Sequence, residues 1–569
     1  MNTQRNRLCR WVPKAIAFAL LAVAVAPASA HDGESSVLPA LQPKAPLLHL
    51  AAESGTPLST MTLRLVESKS GALMPGVVRF LDADGAVIPV RELLPRSTGV
   101  DTKSFGERAY SHFDSWYVVA GEAVVSLPMS QVTVEAFSGL RSAMSRQRID
   151  LNARAEGSVT LSLESIDAIP APDWYAGNAH LHLQRMTERE ALHYAAAVAR
   201  GDGLDLVYFS YLERAGADEH YISNRFSEVT LGTLSQTSSV FFGYGEEYRH
   251  NFPKAQGYGH AMFLNLRDLV LPASLGPDIT GQGNDDRPLY PGLELARERG
   301  ATILWCHHTR GHEDIPNWLA GRVDAQLIFD QGSEGAYEVG AYRYLNVGRR
   351  VPLATGTDWF LRDMAMTYVR VEGERSGPGW LQGLREGRSF ITNGPLLEFT
   401  VNGAGVGETL ELSEATGLRL RGRAVGRCDF GSVEVVENGR AIATAPATRD
   451  GAYFSAAIDH PVTGDQAAWY ALRLPWPAGS YDQPDGSDVH FNEYGKPLFA
   501  HTSPIYVRWK GDDVFIPEAA EALIAGLHAA EAAITEKGTF SGEAARDNVI
   551  QVYRDAATHL AAQIASHTR

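Results

Sequence analysis

A histidine pair, His180 and His182, lies near the end of an apolar segment that begins at Trp174. If this segment is a strand, both imidazoles point to one face of the sheet, because strand side chains alternate with a period of two. Burying the two rings together without a cation would leave polar nitrogens without partners, which costs free energy. The pair therefore predicts a metal site, and it requires a fold in which other strands bring further ligands to the same place.

Four further residues of metal-ligand type follow the pair, each beside apolar or glycine-containing sequence. These are Glu247, His260, His307 and Asp358. Imidazole and carboxylate ligands without thiolates are typical of catalytic zinc or manganese sites rather than closed structural ones. We therefore predict that all six residues bind a divalent metal, zinc or manganese. Cys306 could add a thiolate, but burial as a small hydrophobic residue is the favoured interpretation.

The region from Pro170 onward alternates predicted strands with predicted helices. Strands are expected over 174–183, 204–210, 239–244, 302–305 and 351–355, and helices over 188–200 and 293–299. Repeated β/α units indicate a parallel sheet or barrel, in which ligands gather at the carboxyl ends of the strands. We therefore expect His182, Glu247, His307 and Asp358 at or just beyond strand ends.

The flanking regions have the alternating pattern of strands without intervening helices. The predicted fold class is therefore multidomain α/β plus β, with a central distorted β/α barrel between two β-sandwiches. The expected boundaries are a signal peptide over 1–30, a linker over 31–57, an N-terminal β-sandwich over 58–167, the barrel over 168–396, a C-terminal β-sandwich over 397–510 and a helical tail over 511–569. The tail is expected to pack back on the body as a helical hairpin.

The first thirty residues have the pattern of a secretory leader. Basic residues precede an apolar run over 15–26, and Ala28-Ser29-Ala30 provides a small-residue cleavage site. The apolar run is shorter than the roughly 20 residues of a membrane-spanning helix, which disfavours an uncleaved anchor. We therefore expect Sec-type export, cleavage after Ala30, and a periplasmic or secreted protein that is not held in a membrane.

The charge of the chain restricts its partners. The formal net charge is −16, and it becomes −20 without the leader, which carries four basic residues and no acidic ones. An acidic surface disfavours nucleic acid and anionic membranes as partners, so a small-molecule substrate is expected. Only Cys306 and Cys428 remain after the leader, and no disulfide is expected between them.

Several residues are candidates for catalytic roles beside the metal. Asp358 is expected to be either a ligand or the base that takes a proton from water and returns it to the leaving group. His308, Arg310 and His312 follow His307 closely, and they could contact substrate or developing negative charge. As loop residues they have an equal claim to a solvated role.

Several motifs together resemble a known family. The matching segments are 177–182, Glu247, Gly259-His260, His307, Gly356-Thr357-Asp358, 387–395 and 500–507. They look like the exported CehA/McbA-type metallohydrolases of the PHP (polymerase and histidinol phosphatase) superfamily. The resemblance covers nearly the whole exported chain, and it implies a distorted β/α barrel with one to three metal ions that hydrolyses esters. Named relatives cleave aryl carbamates, and the wider superfamily cleaves phosphoesters.

The chain also departs from the PHP pattern. Ser210-Tyr211-Leu212 stands where the family has Thr-Asp-His, Phe360 stands where it has a histidine, and Asn178 replaces an aspartate. These losses favour one or two ions over three. We therefore predict a metal-dependent hydrolase of ester-type bonds, either carbamate, carboxylic ester or phosphoester. The alternative is a non-catalytic binding protein, with a degenerate metal-holding barrel and sandwiches that bind glycan or protein.

Overall fold

A computed structural model describes residues 57–98, 115–166, 169–213, 221–252, 255–281, 283–308, 311–330, 337–476 and 489–567. The predicted signal peptide and nearly all of the predicted linker lie outside these ranges, so export and cleavage after Ala30 stay predictions. Within the described ranges, no helix combines the length and apolarity needed to cross a membrane.

The N-terminal region consists of two sheets around a shared core. Its strands are β1 (Leu58–Glu67), β2 (Gly76–Leu81), β3 (Leu94–Pro95), β4 (Tyr117–Val119), β5 (Glu122–Pro128), β6 (Gln131–Phe137), β7 (Ser145–Asp150) and β8 (Glu156–Leu163). One sheet has the order β5-β1-β8 and the other β3-β4-β2-β6-β7. Side chains alternate between the two faces of β1, and those of Leu63 and Leu65 are buried against Val78 and Phe80 of the opposite sheet.

The central region contains the predicted histidine strand and most of the helices. Its strands are β9 (Trp174–His182), β10 (Leu206–Tyr211), β11 (Phe241–Phe252), β12 (Ala255–Leu264), β13 (Ser274–Leu275), β14 (Thr302–Cys306), β15 (Ala325–Leu327), β16 (Leu353–Ala354), β17 (Asp358–Trp359), β18 (Met366–Arg370) and β19 (Ser389–Thr392). Its helices are α1 (Glu188–Gly201), α2 (Glu228–Ser238), α3 (Pro277–Thr280), α4 (Tyr290–Glu298), α5 (Asp314–Leu319), α6 (Arg343–Leu345) and α7 (Gly377–Arg385), with a 3₁₀ turn at Ile222–Arg225 and a π-helical turn at Glu338–Tyr342.

The central sheet is mixed rather than regularly parallel. β9, β10 and β11 run parallel, as do β14, β15 and β16. β12 lies antiparallel between β11 and β14, and β17 returns to pair in parallel with β9. The β11–β12 pairing extends β11 well beyond residue 244, where the sequence pattern predicts its end. Glu247 consequently lies within a strand and not beyond a strand end, because β12, which contains His260, supplies hydrogen bonds along β11.

The C-terminal region continues the central sheet. Its strands are β20 (Leu396–Val401), β21 (Ala404–Gly405), β22 (Thr409–Leu412), β23 (Thr416–Gly426), β24 (Ser432–Glu437), β25 (Arg440–Pro446), β26 (Thr448–Asp450), β27 (Tyr453–Gly464), β28 (Ala468–Arg473), β29 (Ala500–Thr502) and β30 (Ile505–Trp509). One sheet has the order β21-β20-β23-β27-β26. The second sheet, which contains β29, is joined to the central sheet by antiparallel pairing of β29 with β19. Strand pairing therefore crosses the domain boundary predicted at residue 396.

Two helices, α8 (Pro517–Lys537) and α9 (Glu543–His567), form the tail. They pack against each other and bury Leu527 and Tyr553 in the same core as Trp318 of α5. The turn between them is held by Asp285, whose carboxylate accepts a hydrogen bond from Thr539 N at 2.6 Å. The tail thus packs as a hairpin on the central region.

Candidate metal centre

Four side chains meet at the ends of β9 and β17 and inside β11. His180 Nε2 lies 3.1 Å from His182 Nε2, and His182 Nε2 lies 2.9 Å from Glu247 Oε2. Asp358 Oδ1 lies 3.4 Å from His180 Nε2 and 3.7 Å from His182 Nε2. Atoms that bind one zinc ion at about 2.0–2.1 Å lie about 3–3.5 Å apart. All four side chains are buried, and their ligand atoms converge on one point.

A second group shares Glu247 with the first. Glu247 Oε1 lies 2.8 Å from His260 Nδ1 and 3.8 Å from His307 Nε2. Asp358 Oδ2 lies 3.9 Å from the same atom of His307. The two oxygens of Glu247 therefore face different groups of imidazoles, so Glu247 could hold an ion together with either group. The structure thus brings together all six residues that the sequence predicts as ligands.

Each imidazole is oriented through its other ring nitrogen. His182 Nδ1 donates to the backbone oxygen of Ser210 at 2.9 Å, and His260 Nε2 donates to Asn251 Oδ1 at 2.9 Å. His180 Nδ1 and His307 Nδ1 both donate to Asp330 Oδ2, each at 3.1 Å. Such partners fix the tautomer, so the nitrogen that faces the centre keeps its lone pair. The side chains are thus arranged to offer four lone pairs to the centre.

Asp330 is a member of this buried cluster that the sequence-based prediction does not include. It is fully buried, and it follows the apolar sequence Leu327-Ile328-Phe329 just beyond β15. The strand-end rule applied to Asp358 would have selected it as well. One carboxylate oxygen accepting from two of the six predicted ligands makes Asp330 the residue that holds both groups in one arrangement.

The electrostatics of the cluster favour a positive charge at its centre. Burial disfavours the charged form of His180, but Asp358, Asp330 and Glu247 outweigh burial and raise the pKa of His180 to about 10. Burial opposes the charged form of His307 too, yet Asp330, Glu247 and Asp358 raise the pKa of His307 to about 9. Burial acts to raise the pKa of Glu247, but the surrounding imidazoles bring it well below its usual range. Protons or metal ions can supply this charge, and metal binding releases the protons.

The residues fit a divalent metal. The lone pairs of His180 Nε2 and His182 Nε2 face each other at 3.1 Å, which is repulsive unless a cation or a proton lies between them. His307 Nε2 and Asp358 Oδ2 are buried without a hydrogen-bond partner in the described part of the chain. Buried polar atoms without a partner are rare in folded proteins. Imidazole and carboxylate donors are the ligands that zinc and manganese take.

The segment that carries Asp358 is held by hydrogen bonds from several regions. Arg362 Nε donates to Thr357 O at 2.9 Å, and Leu361 N donates to Tyr194 Oη at 3.0 Å. Arg96, from the N-terminal sandwich, donates to the backbone oxygen of Asp363 at 3.2 Å. Asp358 itself has φ of 58°, a left-handed conformation that Asp and Asn adopt more readily than most residues. The carboxylate is therefore fixed in position by the surrounding structure.

The other predicted catalytic residues lie outside the two groups. The ring of His308 stacks on Phe329 with centroids 5.2 Å apart, and His308 is in neither group. His312 lies beside Phe252, with ring centroids 6.4 Å apart, and burial lowers its pKa to about 4. Arg310 lies outside the described residues. Among the described residues, neither histidine belongs to a group of side chains that could hold a metal ion.

Comparisons with known proteins give little guidance. No family model and no curated protein matches the sequence. Among solved structures, a two-domain protein from Bacteroides vulgatus ATCC 8482 that contains a predicted PHP-like metal-dependent phosphoesterase is similar at 12% identity, covering 57% of this chain and 94% of that chain with a TM-score of 0.29. A β-glucuronidase from Parabacteroides merdae is similar at 8% identity, covering 77% and 60% with a TM-score of 0.16. TM-scores this low do not establish a shared fold, so the site has to carry the functional argument.

Replacing Asp330 by Asn is expected to weaken metal binding by about 10–100-fold, the effect typical of residues that orient metal ligands. The change removes the negative charge that both His180 Nδ1 and His307 Nδ1 contact while preserving size. Titration of the metal-free protein with Zn²⁺ measures the affinity. Glu313→Gln is the matched control, because Glu313 is a buried carboxylate that accepts from Leu289 N and Tyr290 N, and is in none of the groups that could hold a metal. Equal affinities in both variants would contradict the role of Asp330.

Proposed function

We propose that this chain is an exported, metal-dependent hydrolase of ester-type bonds, either carbamate, carboxylic ester or phosphoester. The observation that carries the proposal is the convergence of four imidazoles and two carboxylates on two adjoining points, with Glu247 facing both. Closed structural zinc sites are typically four-coordinate and rich in cysteine, unlike this cluster. The expected cofactor is zinc or manganese, in one or two ions.

The residues divide into two ligand sets. His180, His182, Glu247 and Asp358 would hold one ion, and Glu247, His260 and His307 would hold the other. A bound divalent ion supplies Lewis-acid chemistry, because it makes water more acidic and polarises a carbonyl or phosphoryl oxygen.

Asp358 is the residue suited to proton transfer. Its Oδ1 faces His180 and His182, whereas its buried Oδ2 has no hydrogen-bond partner in the described part of the chain. One oxygen can thus hold the side chain in place while the other takes a proton from water and returns it to the leaving group.

Membership of the PHP superfamily, of the CehA/McbA type, is part of the proposal. Three departures from that pattern have a structural counterpart. Where the family has Thr-Asp-His, this chain has Ser210, whose backbone oxygen orients His182. Where the family has a histidine, this chain has Phe360, whose ring centroid lies 6.1 Å from that of Tyr194. Asn178 donates to Thr357 Oγ1 at 2.8 Å, beside Asp358. These positions support the structure around the centre, which favours two ions at most.

A third combination of side chains, formed by His180, Cys306, His307 and Asp330, could also hold an ion. It competes with the arrangement described above, because Asp330 already accepts hydrogen bonds from the Nδ1 atoms of both histidines. Burial raises the pKa of the Cys306 thiol well above its usual range, which disfavours the thiolate that binds metal. We therefore assign no ion to this set.

Hydrolysis of a panel of substrates tests the proposal. The purified protein, loaded with Zn²⁺ or Mn²⁺, is assayed on p-nitrophenyl acetate, an aryl carbamate, p-nitrophenyl phosphate and bis(p-nitrophenyl) phosphate. We expect turnover of at least one class, lost on chelation and restored by metal. The alternative is a non-catalytic protein whose sandwiches bind glycan or protein. Absent or metal-independent turnover across the panel would favour that alternative.

A further inference from the structure

Arg249 is a buried guanidinium in the same row of side chains as the candidate ligands. It follows Glu247 by two residues in β11, so both side chains point to one face of the sheet. Arg249 lies directly opposite His260 of β12, and His260 lies directly opposite Cys306 of β14. Opposed residues of antiparallel strands project to one face with Cβ atoms about 5 Å apart. Arg249 therefore lies beside the metal centre.

The hydrogen bonds of Arg249 hold it in place without neutralising it. Nε donates to Ser274 Oγ at 3.2 Å, and Nη2 donates to the backbone oxygen of Glu213 at 2.9 Å. Both acceptor atoms are uncharged, and the carboxylate of Glu213 accepts instead from Ala273 N and Ser274 N. The described part of the chain provides Arg249 with no ion pair within 4.0 Å. A guanidinium has five N–H donors, so most of them stay available. Arg249 is only 1% exposed, and buried cations are normally paired.

The carboxylates of the centre would not be free to neutralise Arg249 in the metal-loaded protein. Glu247 and Asp358 would hold the divalent ions, and Asp330 accepts from His180 Nδ1 and His307 Nδ1. Arg249 would therefore keep its positive charge in a region of low dielectric, where a positive charge attracts an anion.

We propose that Arg249 binds an anionic oxygen of the substrate, so that the site prefers esters that carry a negative charge over neutral esters and carbamates. The planar fork of arginine matches the paired oxygens of a phosphoryl or carboxylate group. Hydrogen bonds to Ser274 and to the backbone of Glu213 fix the guanidinium before an anion binds, which reduces the entropy lost on binding. This inference rests on the proposed hydrolase function and narrows its substrate class.

Anion binding to the zinc-loaded protein tests this inference without requiring turnover. Inorganic phosphate and acetate are titrated separately into wild-type protein, Arg249→Met and Arg249→Lys. Loss of charge-assisted hydrogen bonds is expected to weaken binding of the preferred anion about 10–100-fold in Arg249→Met. Arg249→Lys keeps the charge without the fork, so a smaller loss is expected. The anion with the larger loss shows whether a phosphoryl or a carboxylate group is the natural ligand.

Two controls separate recognition from a structural role. Arg297→Met removes a part-exposed arginine of α4 that pairs with Asp324 just before β15, and phosphate binding should be unchanged. Ser274→Ala removes an acceptor of Arg249 while leaving its charge. If Arg249 only ties β11 to β13, then Arg249→Met and Ser274→Ala will both lower the melting temperature while both anions bind as in wild type. That result would overturn the inference.

Kinetics on the substrate panel distinguish the two levels of the proposal. We expect the ratio of kcat/KM for bis(p-nitrophenyl) phosphate to that for p-nitrophenyl acetate to fall about 10-fold or more in Arg249→Met. Turnover with an unchanged ratio and unchanged anion affinities would refute the role of Arg249 and leave the hydrolase function intact. Anion binding that depends on Arg249 in a protein without turnover would refute only the hydrolase function.

Discussion

Replacing both His180 and His182 by alanine is expected to remove most of the bound transition metal. Elemental analysis of the wild-type protein, purified with Zn²⁺ or Mn²⁺ present, should find about one to two ions per chain, as two adjoining ligand sets predict. The double variant loses both imidazoles of the first set and leaves only the carboxylates of Glu247 and Asp358 there. We expect less than about half of the wild-type metal content, because metal binding needs the full ligand set.

A second pair of histidines provides the control for this experiment. His528 and His559 lie exposed on α8 and α9, so the double variant His528→Ala with His559→Ala removes the same number of imidazoles away from the centre. Its metal content should equal that of wild type. Three tightly held ions in wild type, or wild-type content after loss of His180 and His182, would contradict the two-set arrangement.

The parts of this centre that the sequence predicts are those set by local backbone geometry, and the parts that it does not predict depend on contacts between distant segments. The faces of His180 and His182 follow from strand alternation, which is a local property of the backbone. Arg249 could have been found by the same rule, since it is two residues after Glu247 on the same strand. A lone arginine forms no sequence pattern, and its proposed role follows from the three-dimensional structure, in which the described part of the chain gives it no carboxylate partner.

Longer-range pairing is what the sequence could not show. The apolar pattern predicts a strand ending near residue 244, yet β11 continues to Phe252 because β12 pairs with it along its length. In the same way, β29 pairs with β19 although more than one hundred residues separate them, so the C-terminal sheet is continuous with the central one. Hydrophobic periodicity records which face of a strand is buried but not which strand lies beside it.

Replacing Asp358 by asparagine is expected to reduce the rate of hydrolysis at least about 10²-fold, the lower range for a positioned acid–base group. Asparagine tolerates the left-handed backbone conformation of this position, so the fold should be retained. The change removes the charge and basicity of Oδ2 while keeping the shape of the side chain. Steady-state kinetics on the best substrate of the panel measure the rate, and circular dichroism checks the fold.

Asp324→Asn is the matched control, because Asp324 accepts from Ile303 N at 2.8 Å just before β15, at the opposite end of that strand from Asp330.

Metal content then separates the two roles open to Asp358. If Asp358 is chiefly a ligand, Asp358→Asn will lose metal and activity together. If it is chiefly the base, the metal will stay while the rate falls. Turnover near the wild-type rate would contradict both roles, and it would remove the main support for catalysis at this centre.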